Sequence, residues 1–312
     1  MYAVFSRELR AYFDGPMGYG IIGAFIVVIM LLSVLLDPTG GGGDWFARGE
    51  LSMRTFFGIF PWVAAVVVPA VSMRLWSEDR RQATFEMLMT LPIPTWRIAL
   101  GKYFAGVLFL GAMLASTFVF PVMLLVFGDP DWGPVFGGYI ACLLLGAAFV
   151  GVGLFVSGLT ENQALAFFLA MLMCLGIVGV GELRGLLGDM ARDNPQAAMI
   201  HVFSVPLVGM GILAAVIGRD RLLGLVVALV GFLVNVGAHI VNNSPADAGD
   251  TVRGTTQAGE FVVGVLAQVA VLEHFREIER GVVNTNGLIF FASYVVLFVV
   301  LNVWSLEARR YS

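Results

Sequence analysis

The feature that most constrains this chain is a series of long stretches without Asp, Glu, Lys or Arg. There are eight such windows, and each is 19 to 29 residues long. They are residues 15–36, 55–73, 103–128, 132–160, 162–181, 194–218, 222–246 and 281–306. A helix of about 20 apolar residues crosses the hydrocarbon core of a bilayer. The windows therefore predict an all-α polytopic membrane protein with about eight transmembrane helices.

Composition supports this reading against the other broad classes. Charged residues make up 13% of the chain, whereas soluble domains average about 25%. Hydrophobic residues make up 59%, which excludes a soluble globular protein and a disordered chain. Runs such as Ile21–Met30 are apolar throughout, unlike the alternating strands of a membrane barrel. A ninth gap, residues 261–272, is only 12 residues long and predicts a re-entrant or interfacial segment.

The distribution of charge predicts the orientation. With the N-terminus inside, the inside segments hold 11 basic and 8 acidic residues, and the outside segments hold 7 and 14. Basic residues favour the cytosolic side of a membrane. This places both termini in the cytosol. The turn at 218–221, Gly-Arg-Asp-Arg, predicts the inside tip of a hairpin formed by the two windows around it.

Several kinds of chemistry are disfavoured. Gly40–Gly43 lacks the Lys-Ser/Thr of a phosphate loop, so we expect no nucleotide-binding motif in this chain. Cys142 and Cys174 lie in apolar runs and are expected to be small buried hydrophobes. The net charge of −4 gives no basic surface for nucleic acid. We expect a membrane subunit that is not itself an enzyme, with no metal or cofactor bound directly.

One pair of residues keeps an alternative open. His201 and His239 fall near the outer ends of adjacent predicted helices, with Asn235 one turn before His239. Facing histidines can relay protons or hold a metal, although polar packing between helices is the commoner role. A stand-alone channel or secondary carrier is therefore one alternative, and a membrane scaffold without transport is another.

Three polar stretches are predicted to be helices that do not span. Residues 1–16 place aromatic side chains at helical spacing, which is typical of an interfacial helix. Residues 74–98 carry a mixed-charge turn, and a short helix at about 76–91 is expected to end at prolines. Residues 261–286 predict an amphipathic helix on the outer surface. Its apolar face is formed by Val271, Phe275, Ile278 and Val282.

Taken in order, several motifs resemble those of type-2 ABC transporter permeases. Residues 7–13, RELRAYF, resemble the elbow helix of that family. Residues 74–92 resemble its coupling segment, and Gly101-Lys102-Tyr103 resembles the start of its third span. Residues 131–134, 157–163 and 272–282 are similar to the gliding-motility-associated subfamily, close to the permease of the nitrous-oxide reductase maturation system. The family usually has six spans, so residues 184–260 are interpreted as an added hairpin.

These observations divide the chain into five predicted parts. They are the elbow helix at 1–16, helices one to five at 17–183, the added hairpin at 184–260, the outer segment at 261–286, and the last span with its cytosolic tail at 287–312.

The resemblance implies a permease subunit of an ATP-driven exporter or mechanotransmission complex in the bacterial cytoplasmic (inner) membrane. Its implied partners are a cytosolic ABC ATPase dimer, which supplies ATP hydrolysis, a second permease subunit, and an outside substrate-binding or accessory protein. The implied ATPase-coupling residues are Glu78, Asp79, Arg80, Arg81, Thr84, Phe85 and Glu86. The implied elbow residues are Arg7, Glu8, Arg10, Tyr12 and Phe13. The implied outer-helix residues are Glu273, His274, Phe275 and Arg280.

Overall fold

The computed structural model describes residues 1–35, 53–82, 84–90, 92–127, 132–193, 271–281 and 284–310, and its regular elements there are all α-helices. The helices are α1 (Tyr2–Phe13), α2 (Pro16–Leu35), α3 (Arg54–Ser72), α4 (Arg74–Arg81), α5 (Thr84–Thr90), α6 (Thr95–Ser116), α7 (Val119–Phe127), α8 (Trp132–Leu159), α9 (Gln163–Asp193), α10 (Val271–Glu279) and α11 (Thr285–Arg310). The chain divides into two compact units, Met1–Val178 with Val271–Ser312, and Gly179–Ala270. The second unit lies mostly outside the described residues.

Four helical stretches in the described part of the chain are long and apolar enough to cross a membrane. They are Arg54–Arg81, Thr95–Met123, Trp132–Leu159 and Thr285–Glu307. The pair Tyr2–Phe13 and Gly18–Ser33, bent by 65°, makes a fifth if it is counted as one span. The prediction of a polytopic, all-helical membrane protein is confirmed for these residues.

The prediction of eight crossings stays a prediction. The windows at 194–218 and 222–246 lie outside the described residues, as do His201, His239 and the turn at 218–221. The fifth window, residues 162–181, is shorter than the helix that contains it, because α9 continues to Asp193. Its apolar stretch, Gln163–Gly179, is shorter than the four candidate spans.

Helix α8 lies at the centre of the first unit, and small residues let its neighbours approach closely. Gly138 contacts the Phe57 ring, and Gly153 lies against Ser72. A Cβ atom at Gly153 would come within 1.7 Å of Ser72 Oγ, so only glycine fits there. The structure assigns Gly153 to packing within the subunit.

The same contacts give the directions of the helices. Phe57 lies beside Gly138 and Ser72 beside Gly153, so α3 and α8 run parallel. Gly146 contacts Leu110 of α6, whereas Val150 lies nearer the start of α6, so α6 runs antiparallel to α8.

Helix α11 also runs parallel to α8. Phe298 lies against Gly151, and Asn302 Nδ2 donates to the Leu154 carbonyl at 3.0 Å. The bundle therefore has two distinct ends. The α1 end carries α1, α4, α5 and the first turns of α6 and α9. The α10 end carries α10 and the first turns of α3, α8 and α11.

A short break in the helix follows Ser116, upstream of Pro121. Helix α6 ends at Ser116 and α7 begins at Val119. A proline ring clashes with the carbonyl four residues earlier, which here belongs to Thr117. Tyr139 Oη donates to that Thr117 carbonyl at 3.0 Å. The Thr117 carbonyl therefore accepts from α8 as well as from the Phe120 amide.

Candidate functional site

The predicted coupling segment forms two helices rather than one. Helix α4 continues the line of α3, so that Arg54–Arg81 forms one long helical stretch, and α5 follows after Gln82. Glu78 accepts hydrogen bonds from Arg81 Nη2 at 2.8 Å and from Gln82 Nε2 at 2.6 Å. Both donors lie at the end of α4, so Glu78 fixes the turn into α5. The single helix predicted at about 76–91 is corrected to this pair.

Glu78 also connects the coupling segment to α9. Its second carboxylate oxygen accepts a hydrogen bond from Gln163 Nε2, at the first residue of α9. Asn162 caps this helix, since its Oδ1 accepts from the Ala164 amide at 2.9 Å. Glu78 is thus half-buried in a contact between two connecting segments of the chain.

Asp79 points into the protein. The residue is 8% exposed, and its Oδ2 lies 2.6 Å from Lys102 Nζ. Its Oδ1 lies 3.3 Å from Arg7 Nη2 and accepts from Thr84 Oγ1 at 3.3 Å. Asp79 is one of the implied ATPase-coupling residues, and the structure places its carboxylate against α1, α5 and α6.

Lys102 is the buried centre of the α1 end. The residue is 1% exposed. Its ammonium group lies 2.8 Å from Glu8 Oε1 and 2.6 Å from Asp79 Oδ2. It also donates to the Leu75 carbonyl and lies 5.0 Å from the centroid of the Trp76 ring. Two of the three ammonium donors serve Glu8 and the Leu75 carbonyl, while Asp79 Oδ2 lies at ion-pair distance. The cation is therefore buried between two carboxylates of opposite charge.

The elbow residues divide into two sets. Glu8 and Tyr12 face inward, since the Glu8 side chain is 14% exposed and Tyr12 Oη donates to the Val71 carbonyl at 2.9 Å. The Tyr12 ring stacks on Phe109 at 4.5 Å between centroids. Arg7 and Arg10 are exposed, and Arg7 Nη2 lies 2.6 Å from Glu8 Oε1. Phe13 is half-buried beside Phe109, so α1 is docked on α3 and α6 through both charged and aromatic contacts.

The outward face of α4 and α5 has a different character. Arg81 and Glu86 are exposed, and the Arg81 side chain is 64% accessible. Arg80 lies 4.5 Å from the Phe85 ring centroid, and Phe85 packs edge-on against Trp76. Of the seven residues predicted for coupling, two are exposed and one is buried. Glu78, Arg80, Thr84 and Phe85 are intermediate in exposure.

A polar cavity of about 250 Å³ lies between α1 and the coupling helices α4 and α5. Arg7, Glu8, Arg74, Asp79 and Thr84 contribute to its walls. Charged groups from α1 and α4 therefore meet around a small polar space as well as through direct ion pairs.

Helix α10 lies within the amphipathic segment predicted at 261–286. Val271, Phe275 and Ile278 are buried, as predicted, whereas Val282 lies outside the described residues. The His274 ring packs 4.3 Å from the Phe290 ring. Glu273 is intermediate in exposure and Arg280 is exposed.

One carboxyl group of α10 has a shifted pKa. Burial raises the pKa of Glu279, and the nearby guanidinium groups of Arg54, Arg276 and Arg280 oppose that shift.

Comparison with known proteins identifies the chain at family level. The sequence profile of the ABC-2 family transporter proteins matches residues 49–218, a little over half of the chain. The chain belongs to the ABC-2 transporter family. The matched range includes α3 to α9, and with them Lys102, but not α1, α2, α10 or α11.

Two curated relatives are similar over a shorter range. They are the "Probable multidrug ABC transporter permease YbhR" of Escherichia coli K12 and its counterpart in strain O157:H7, each 27% identical over 124 residues. The match covers 39% of this chain and 31% of each relative, so the chain spans about a third of the length of the curated relatives it matches. No solved structure gives a significant match.

Sequence reasoning did not identify the central role of Lys102 in this ABC-2 protein. Lys102 appeared only as part of a family-like Gly-Lys-aromatic motif, and Glu8 was expected on the polar face of an interfacial helix. One signal was available, because Lys102 directly precedes a charge-free window of 26 residues. A cation at that position requires buried partners, and carboxylates from outside the window supply them.

The described residues of this ABC-2 protein contain no group of three or more His, Cys, Asp and Glu side chains suited to a metal ion. Cys142 and Cys174 are buried free thiols, as the sequence predicted.

Proposed function

We propose that this chain is the membrane-spanning permease subunit of an ABC transporter in which a separate cytosolic ATPase hydrolyses ATP. Membership of the ABC-2 family supports the permease role. The exposed outer face of α4 and α5 is the observation that carries the coupling role. It presents Arg81 and Glu86, charges of opposite sign, on a segment whose inner side is fixed by ion pairs.

The α1 end is proposed to face the cytosol of a bacterial cell with the protein in its inner membrane. The basic residues of the predicted inside segments exceed the acidic ones, which supports this orientation. In the described part of the chain, α1, α4 and α5 gather at one end of the bundle. A cytosolic partner therefore meets all three helices on one surface.

The transported species is proposed only as a class. The Escherichia coli relatives are described as probable multidrug permeases, and that description belongs to them. For this chain we propose ATP-driven export or transmission of force to an outside protein, with a second permease subunit completing the complex. The motifs at 131–134, 157–163 and 272–282 favour a place near the gliding-motility-associated and nitrous-oxide reductase maturation permeases.

Co-purification tests the coupling surface. The full chain is isolated from its native membranes, and ATPase subunits bound to it are quantified. We expect an ABC ATPase to co-purify, and the exchange Arg81→Glu with Glu86→Arg to reduce its recovery at least about tenfold. That loss corresponds to about 1.4 kcal/mol, within the range for reversed interface charges.

The matched control is Glu277→Arg, an exposed charge reversal on α10 at the other end of the bundle. It is expected to leave ATPase recovery unchanged. The proposal is wrong if no ATPase is recovered with the wild-type chain, or if the double exchange at Arg81 and Glu86 binds as well as the wild type.

A further inference from the structure

Lys102 is placed where three helices of the α1 end converge. It belongs to α6, and its ion-pair partners are Glu8 of α1 and Asp79 of α4. Its carbonyl partner, Leu75, and the aromatic ring beneath it, Trp76, also belong to α4. One buried ammonium group therefore holds α1 and α4 against α6.

The charges in this cluster balance. Lys102 and Arg7 carry two positive charges, and Glu8 and Asp79 carry two negative charges. Removing a partner from a buried ion pair leaves an uncompensated charge, which is far more costly than losing an exposed pair. The arrangement is therefore stable only while α1, α4 and α6 keep their relative positions. Desolvation offsets much of the attraction in a buried ion pair, so we assign this cluster a role in geometry rather than in stability.

Helix α5, the second of the two coupling helices, is connected to the same cluster. Thr84, at the first residue of α5, donates to both the carbonyl and the carboxylate of Asp79 at 3.2 and 3.3 Å. A displacement of α5 thus reaches Asp79 directly. From Asp79 it passes to Lys102 and so to α6, which continues into the membrane.

We propose that Lys102 is a positioning residue that makes α1, α4, α5 and the start of α6 move as one body, so that movement imposed on the coupling helices is transmitted to α6. This inference rests on the proposed function for the source of the movement. The rigid-body part depends only on this chain.

The rigid-body part is tested with the full-length chain alone in nanodiscs. Spin labels are attached at Arg10→Cys on α1 and Met87→Cys on α5, two exposed positions, while the native cysteines are buried. Double electron–electron resonance then gives the distribution of distances between the labels. We expect a narrow distribution in the otherwise wild-type chain and one at least about twice as wide in Lys102→Met. Lys102→Arg, which keeps the charge, is expected to remain closer to the wild type.

Two further variants separate positioning from stability. Phe275→Leu weakens the buried packing of α10 and is expected to lower thermal stability without widening the α1–α5 distribution. If Lys102→Met does not fold, the triple variant Glu8→Gln, Asp79→Asn, Lys102→Met removes the buried charges together and takes its place. An unchanged distribution in the Lys102 variant overturns the proposal, as does equal widening in Phe275→Leu.

Transmission is tested in the complex with the co-purifying ATPase, using labels at Leu108→Cys on α6 and Glu277→Cys on α10. With ATP and vanadate we expect this distance to shift in the wild type and the shift, compared at equal amounts of bound ATPase, to fall at least about twofold in Lys102→Met. An equal shift in Lys102→Met overturns the transmission role. Failure of any ATPase to bind instead overturns the proposed function, and the nanodisc result still decides whether Lys102 fixes the helices.

Discussion

The two ends of the bundle each carry a short amphipathic helix, but different forces hold the two helices. At the α1 end, Lys102 pairs with Glu8 of α1, and Arg7 of α1 pairs with Asp79 of α4. Tyr12 adds a hydrogen bond to the Val71 carbonyl. At the α10 end, Phe275 is 1% exposed and stacks on Phe60 with ring centroids 6.5 Å apart. Ion pairs depend strongly on direction and distance, whereas apolar burial depends mainly on the area removed from water.

These two kinds of contact have different effects on geometry and on stability. Apolar burial contributes roughly 25 cal/mol for each Å² removed from water, so α10 is attached mainly by stabilising contacts. A buried ion pair gains little net free energy after desolvation, so the ion pairs of the α1 end restrict geometry more than they stabilise, while Tyr12 and Phe13 supply its aromatic packing. The end proposed to receive mechanical input is thus the end with the more geometrically restrictive contacts.

The largest effect is expected from Phe275→Ala. The side chain is fully buried, and truncating a buried Phe typically costs about 3–5 kcal/mol in cavity and transfer terms. Thermal unfolding in detergent should therefore show a large loss of stability. The matched control is Glu277→Ala on the exposed side of α10, which should be nearly neutral. Equal effects of the two variants would contradict the assignment of α10 to apolar packing.

A smaller effect, about 1–3 kcal/mol, is expected from Gly137→Ala. A Cβ atom there would lie 2.5 Å from the Ile278 carbonyl oxygen, and a backbone atom cannot rotate away. At the α1 end, a Cβ at Gly101 would come no closer than 3.2 Å to its neighbours. Gly101→Ala should therefore be tolerated better, and thermal unfolding of both variants measures the contrast. Similar losses at both sites would contradict the tight backbone packing assigned to Gly137.

The sequence predicted the helical class and several faces because these follow from short-range patterns. Charge-free windows identified the candidate spans, and the spacing of Val271, Phe275 and Ile278 identified the buried face of α10. Such periodicities are local, so they can be read without knowing which helices meet.

The contacts of the α1 end could not be predicted in the same way. Glu8 and Lys102 are 94 positions apart, and Arg7 and Asp79 are 72 apart. Periodicity shows which face of a helix is polar, but it does not distinguish a carboxylate that faces water from one that binds a buried cation. The division of the coupling segment into α4 and α5 was missed for a related reason, since Glu78 fixes the turn through its side-chain contacts.

The smallest effect is expected from Tyr12→Phe, which sharpens the comparison within the α1 end. Phenylalanine keeps the stacking on Phe109 but removes the hydrogen bond to the Val71 carbonyl. A single hydrogen bond contributes about 0.5–1.5 kcal/mol, so thermal unfolding should shift only slightly. Tyr12→Ala, which also removes the ring, is the comparison variant and should cost clearly more. If Tyr12→Phe instead costs as much as Tyr12→Ala, the hydrogen bond holds α1 in place more strongly than the aromatic contact, and polar contacts dominate this end entirely.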